Sequence, residues 1–332
     1  MIGARNSGPD SMSRDALGFL RAEFPELDVA GTPETIMERP GAADPPRLSG
    51  MTLLEHKTFR SVDVAVPAAS ERTSAFAGFL DGAQKIQVLG YPGGIPVVLG
   101  TISAGIRARK ERRLVTWTGR APALERRLYL PLSHLGSSRI ASSSRFTVVD
   151  TSATDESGAP TDAHPLLLVD RAMQLLQEHR ESLEYRFAED WCDSEREPLF
   201  IDGGISGNAR IATSPLAVGV VKSHRTLYAS NETLGSLLRL KKGQRSSVFR
   251  VSPRSRQSVA SWYLRLRSPA GHDPLWALVR IEIADSPDAV QRADEISRWV
   301  IGESSPLSLP DGRWDKMAYG IRGAEEFLRA IS

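Results

Sequence analysis

Two short stretches place a carboxylate at similar points of the chain. "FLDGAQ", residues 79–84, runs an apolar segment into Asp81 and Gly82, and "LFIDGG", residues 199–204, repeats the pattern with Asp202 and Gly203. Hydrolysis of a phosphodiester near neutral pH builds negative charge on the attacking and leaving oxygens, and two divalent cations about 4 Å apart can offset it. Mg²⁺ and Mn²⁺ prefer carboxylate oxygens, so such chemistry needs at least two acids on rigid supports. A strand that ends in Asp-Gly supplies one, because the glycine lets the backbone turn and a phosphate approach. Ordinary turns use the same dipeptide, so the pair calls for a third acid.

A helix beginning at Pro165 offers one. Its apolar stripe runs Val169, Met173, Leu176, Arg180, Glu184, Phe187 and Trp191 at spacings of three and four, while Glu178 and Glu181 fall on other faces. Arg180 and Glu184 therefore stand where the pattern asks for core residues. They form either an intrahelical pair at the edge of the buried stripe, or a metal-binding Glu184 aimed at a sheet with Arg180 orienting it or a phosphate. Lys222 closes the run "LAVGVVKS", as a snorkelling lysine or as a phosphate contact at a strand end. Arg280 and Glu282 alternate with Val279, Ile281 and Ile283 on one strand face, which is either solvated or a second tier of the same site.

Cations gather in three runs: "RARKERR" (107–113), "RLKKGQR" (239–245) and "RVSPRSR" (250–256). Each is a solvated face or part of a phosphate-facing surface, and Arg109, Lys110 and Arg112 in the first are the candidates for nucleic-acid contact.

The elements that must position these groups follow from apolar periodicity. β-Branched runs from Phe76 to Thr151 predict strands, with "GYPGG" as a hairpin turn between the first two, so the opening reads as an antiparallel meander. A helix follows from Pro165 to Trp191, then a short buried strand at Leu199–Ile201. Strands are expected in "LAVGVVKS", "SVFRVS", "SVASWYLRLR" and "LWALVRIEIA", and helices at Ser286–Ile301 and Gly323–Ile331. This order suits an α/β fold with an RNase H-like core, a mixed sheet and flanking helices. In it the first strand and the strand after the first helix lie side by side, which would join Asp81 to Asp202. Residues 1–70 read as an N-terminal extension, a short amphipathic helix at Arg14–Phe24 plus a Pro/Gly-rich loop, ahead of a main domain at 71–332. The helix needs a surface for Ala16, Leu17, Phe19, Leu20 and Phe24, either its own domain or a partner.

Composition bounds the alternatives. Of 332 residues, 41% are apolar and 25% charged, as in soluble globular proteins, and a net charge of +2 confines any nucleic-acid contact to local clusters. A single cysteine, Cys192, excludes an internal disulfide framework. No stretch reads as a secretion signal or a membrane span, so a cytoplasmic protein is expected. There is no Gly-x-Ser-x-Gly elbow and no phosphate-binding Gly-x₄-Gly-Lys-Ser/Thr loop, and the histidines are too scattered for a zinc site. Two rivals stay open: a catalytically inactive RNase H-like module that binds nucleic acid or an ATPase, and an actin-like ATPase, which the two Asp-Gly turns support only faintly.

"FLDGAQ", "RESLEYRFAEDW", "LFIDGGISG" with "AVGVVKS", "LVRIEI" and "MAYGIRGAEEFLRA" together resemble, in order over residues 72–332, the NurA nuclease family. The resemblance implies an RNase H-like fold, Mn²⁺- or Mg²⁺-dependent exo- and endonuclease activity on DNA ends, a homodimer, and partnership with a HerA-type hexameric ATPase. It gives Asp81, Glu184 and Asp202 the metal-ligand places and Tyr319 that of a C-terminal active-site tyrosine. Where the family usually has a histidine shortly after that tyrosine, this chain has Glu325 and Glu326.

Overall fold

The computed structural model of the chain describes residues 9–25, 29–35, 45–65, 74–111, 113–136, 146–152, 163–252, 256–304 and 315–331. The first half holds helix α1 (Pro9–Glu23) and strands β1 (Val29–Thr35), β2 (Arg47–Ser49), β3 (Thr52–Leu53), β4 (Ser61–Asp63), β5 (Gly78–Gly90), β6 (Val97–Lys110), β7 (Arg113–Thr116), β8 (Ala123–Leu130) and β9 (Thr147–Asp150). The long helix α2 (Pro165–Ser194) leads into β10 (Leu199–Asp202), β11 (Ala217–Val221), β12 (Thr226–Tyr228) and α3 (Asn231–Leu238). Strands β13 (Gln244–Ser246), β14 (Phe249–Val251), β15 (Val259–Arg265) and β16 (Leu278–Ala284) precede helices α4 (Ala289–Glu303) and α5 (Tyr319–Ile331).

This is a mixed α/β fold around one large mixed sheet of order β3-β14-β15-β16-β11-β10-β5-β6-β8-β9. β5 and β6 form its long antiparallel hairpin, closed by a turn in which Gly93 and Gly94 take φ of 57° and 83°, values that favour glycine. β10 then enters parallel to β5, and β11 parallel to β10, each returning through a connection that contains helix. Strand alternation sorts the core into two faces. Leu80, Ile86, Val88 and Ile201 pack under Met173, Leu176, Leu183, Phe187 and Trp191 of α2. Phe79, Phe200, Val218, Val220 and Ile281 pack under Ala293, Ile296 and Val300 of α4 and Ile321 of α5. Covered on both faces, β10 and β11 read as continuous apolar runs rather than alternating ones.

α2 starts where Pro165 meets the first helical turn, with His164 Nδ1 accepting from the Leu166 amide at 3.3 Å. It crosses β5 and β6 closely. An added Cβ at Gly78 would lie 2.6 Å from Trp191, and one at Gly100 2.5 Å from Leu176.

Several expectations change. The opening is antiparallel as expected, β5 with β6 and β6 with β8, but β9 then pairs parallel with β8. β5 does not end at Asp81 but runs on to Gly90. α5 begins at Tyr319, ahead of the expected Gly323. The residues before 70 are woven into the sheet: β1 pairs with β5, β3 with β14 and β4 with β13. Ala16, Leu20 and Phe24 of α1 are buried against Leu89, Val97, Leu99, Leu128 and Leu130, so the chain itself covers that apolar side. The boundary expected at residue 70 and most of the loop before Pro165 lie outside the described residues.

Candidate active site

Asp202 is the last residue of β10, and Gly203 turns the chain away with φ of 145° while its amide donates to the Val220 carbonyl at 3.2 Å. The parallel register sets Ile201 beside Leu80, so the next step along each strand brings Asp202 beside Asp81. Asp81 Oδ1 accepts from the Gly82 amide at 2.8 Å. Burial, and then the charge of Asp202, push the Asp81 carboxyl up to about 8; Lys222 opposes this and Glu184 adds to it. Lys222 follows β11 directly, and its Nζ lies 2.7 Å from Asp202 Oδ2 and 3.8 Å from Met317 Sδ.

Glu184 projects from α2 over Gly82. It is 8% exposed, and a Cβ at Gly82 would fall 1.9 Å from its Oε1. Burial pushes its carboxyl up to about 7 against the pull of Arg180, whose Nη1 donates to Oε1. Arg180 Nε also donates to Gln84 Oε1 at 3.1 Å, which fixes the guanidinium against β5. The pair is an i, i+4 ion pair, and its Arg180 rests on β5. The three carboxyls sense one another, since Asp202 also raises Glu184.

Among the described residues no group of three or more His, Cys, Asp or Glu side chains is arranged to hold a metal ion. Asp81 and Asp202 are the two acids that could hold one, since each strand brings its carboxyl to the same place and Asp202 raises Asp81. Among the described residues the cations paired with Asp202 and Glu184 are Lys222 and Arg180, so with Asp81 one negative charge is left over, and a proton on Asp81 takes it up. A divalent cation can replace that proton. Glu184 is bound by Arg180 and is felt by both aspartates.

The remaining candidates scatter. Arg280 and Glu282 form a buried ion pair on β16, with the Arg280 guanidinium over the Tyr228 ring at 4.9 Å. Glu282 Oε2 accepts from the Ile205 amide at 2.8 Å, so this pair anchors the loop that follows Asp202. Tyr319 opens α5 and is 48% exposed, two residues from the Met317 that touches Lys222. Glu325 and Glu326 are paired with Arg322, and Glu325 with Arg329 as well.

Arg109 turns inward, donating to both carboxylate oxygens of Glu303 at 2.8 Å and to the Phe76 carbonyl at 3.1 Å. Lys110 is exposed at the end of β6, and Arg112 lies outside the described residues. Cys192 is half-buried, and burial raises its thiol.

Sequence reasoning missed the tether from Gln84 to Arg180 and the half-buried Lys316 beside Lys222. Gln84 stands two residues beyond Gly82, on the same face of the strand, a signal that could have flagged it; Lys316 carries none. No family model matches the chain, and comparison with curated proteins finds no match.

Proposed function

We propose that this protein is a metal-dependent deoxyribonuclease with an RNase H-like core, acting by phosphodiester hydrolysis on DNA ends. The strand order β8-β6-β5-β10-β11 supports the fold, with an antiparallel trio, a helix, and two parallel strands added beside the first. One observation carries the chemistry. Asp81 and Asp202 stand side by side on neighbouring parallel strands, with more negative charge than the described residues neutralise.

In this reading Asp81 and Asp202 hold Mn²⁺ or Mg²⁺. When bound, the cation offsets the charge that develops on the phosphate oxygens. Lys222 orients Asp202 through its 2.7 Å contact, and Arg180 holds Glu184 at Gly82, where its raised carboxyl can carry a proton near neutral pH. Tyr319, exposed at the start of α5 and two residues from the Met317 that touches Lys222, takes the part of a substrate contact in this reading. Partnership with a HerA-type ATPase and homodimer formation rest on the resemblance in sequence. No helix among the described residues is long and apolar enough to cross a membrane.

Purified protein is expected to cleave single-stranded or end-bearing DNA with Mn²⁺ or Mg²⁺ and to stop with chelator. Asp81→Ala and Asp202→Ala each abolish cleavage; a variant that cuts like the native chain removes the assignment. The inactive binding module is the second reading, and the salt bridges already holding Asp202 and Glu184 favour it. It predicts DNA binding without cleavage under any divalent cation.

A further inference from the structure

Lys316 lies just ahead of α5, with its Nζ donating to the Lys222 carbonyl at 3.3 Å. Among the described residues it forms no salt bridge. Its neighbour Asp315 is spent on the Ala277 amide at 3.0 Å, and Asp202 is spent on Lys222. The ammonium is half-buried, and that burial pulls its pKa down, with Asp315 and Asp273 opposing. A half-buried ammonium whose bonded partner is a neutral carbonyl is incompletely compensated. Burial first, and then the charges of Lys316, Arg280 and Arg265, lower the nearby His224 imidazole to about 4.

We propose that Lys316 is a substrate-positioning residue, binding the backbone phosphate of the nucleic-acid strand next to the one presented to Asp81 and Asp202. The proposal rests on the nuclease reading and names the contact that reading lacks. Within the cationic runs, Arg109, Arg245 and Arg250 are each bound to carboxylates of the chain. An incoming phosphate gives the Lys316 ammonium a charged partner without breaking an existing ion pair.

The test uses the full chain and a fluorescent single-stranded oligonucleotide, with chelator present so that binding is read without cleavage. Lys316→Gln is expected to weaken binding several-fold and to lower the slope of log affinity against log salt by about 0.7, the value of one phosphate contact on a single strand. Lys316→Arg restores most of the slope, and thermal melting of both variants checks the fold. In cleavage assays KM rises by a larger factor than kcat falls. An unchanged salt slope in Lys316→Gln, with native DNA binding intact, overturns the proposal while leaving the nuclease reading in place. A native chain that neither binds nor cleaves DNA overturns both.

Discussion

Asp81-Gly82 and Asp202-Gly203 share a dipeptide and differ in what the glycine is for. At Gly203 nothing lies within 4 Å of an added Cβ, but φ is 145°, so the demand is on the backbone, which must leave β10 sharply after Asp202. At Gly82 the strand continues undisturbed and the demand is for space, since Glu184 Oε1 occupies the place of a side chain. One glycine ends a strand so that an acid stands at its tip. The other leaves a gap in the middle of a strand so that an acid from a helix can come down onto it. A shared motif therefore identifies where the acids are but not how the chain supports them.

The largest expected effect separates the two aspartates by charge. The folded-state carboxyl of Asp81 is raised from an ordinary 3.8 to about 8, so between these values the folded chain binds a proton the unfolded chain releases. Stability attributable to this group is full below about pH 4 and declines as pH rises through 8. Asp81→Asn removes that decline. In metal-free buffer it should melt above the native chain at pH 8, by a margin that grows from pH 5 upward and is worth on the order of a few kcal/mol. A margin that stays constant with pH would remove the uncompensated charge on which the site depends.

Next comes the space at Gly82. Gly82→Ala should destabilise by about 1–3 kcal/mol through overpacking, and displace Glu184. In an Glu184→Ala background the penalty should largely vanish, because the clashing atoms are gone, giving a coupling energy in the double-mutant cycle. Additive effects would mean that Glu184 does not rest on this glycine. The smallest effect is at Gly203, where Gly203→Ala should cost about 1–2 kcal/mol by backbone strain alone. That cost should be the same with or without Glu184. A dependence on Glu184 would mean that the two glycines serve one packing contact after all.

The cationic runs teach the same lesson from the other sign of charge. Arg109 and Lys110 are neighbours in sequence, yet Arg109 clamps the end of α4 through Glu303 while Lys110 is exposed. Arg245 is likewise buried between Glu55 and Asp294. Strand alternation sends adjacent residues to opposite sides, so a run of like charges splits into inward staples and outward ones. The carboxylates that decide which is which lie far away in the chain.

What the sequence determined by itself are local facts with local causes. The helix from Pro165 was readable because its apolar stripe repeats at helical spacing and Pro165 suits a first turn, and Glu184 was readable as sheet-facing because it interrupts that stripe. The short strand before Asp202 announced itself as a buried apolar run, and the adjacency of β5 and β10 followed from the order of elements. Tertiary structure decided the rest. It kept β5 going past Asp81 by giving it β6 and then β1 as partners, turned β9 parallel, and drew the residues before 70 into the sheet. It also chose the partners of each charge: Arg180 with Glu184 and Gln84, Lys222 with Asp202, Arg109 with Glu303, and Lys316 with a carbonyl. A side chain's own sequence neighbourhood fixes its periodicity and its reach. Its burial and its charged partner come from strands and helices distant in the chain, and it is those two quantities that raise Asp81 and leave Lys316, among the described residues, without a salt bridge.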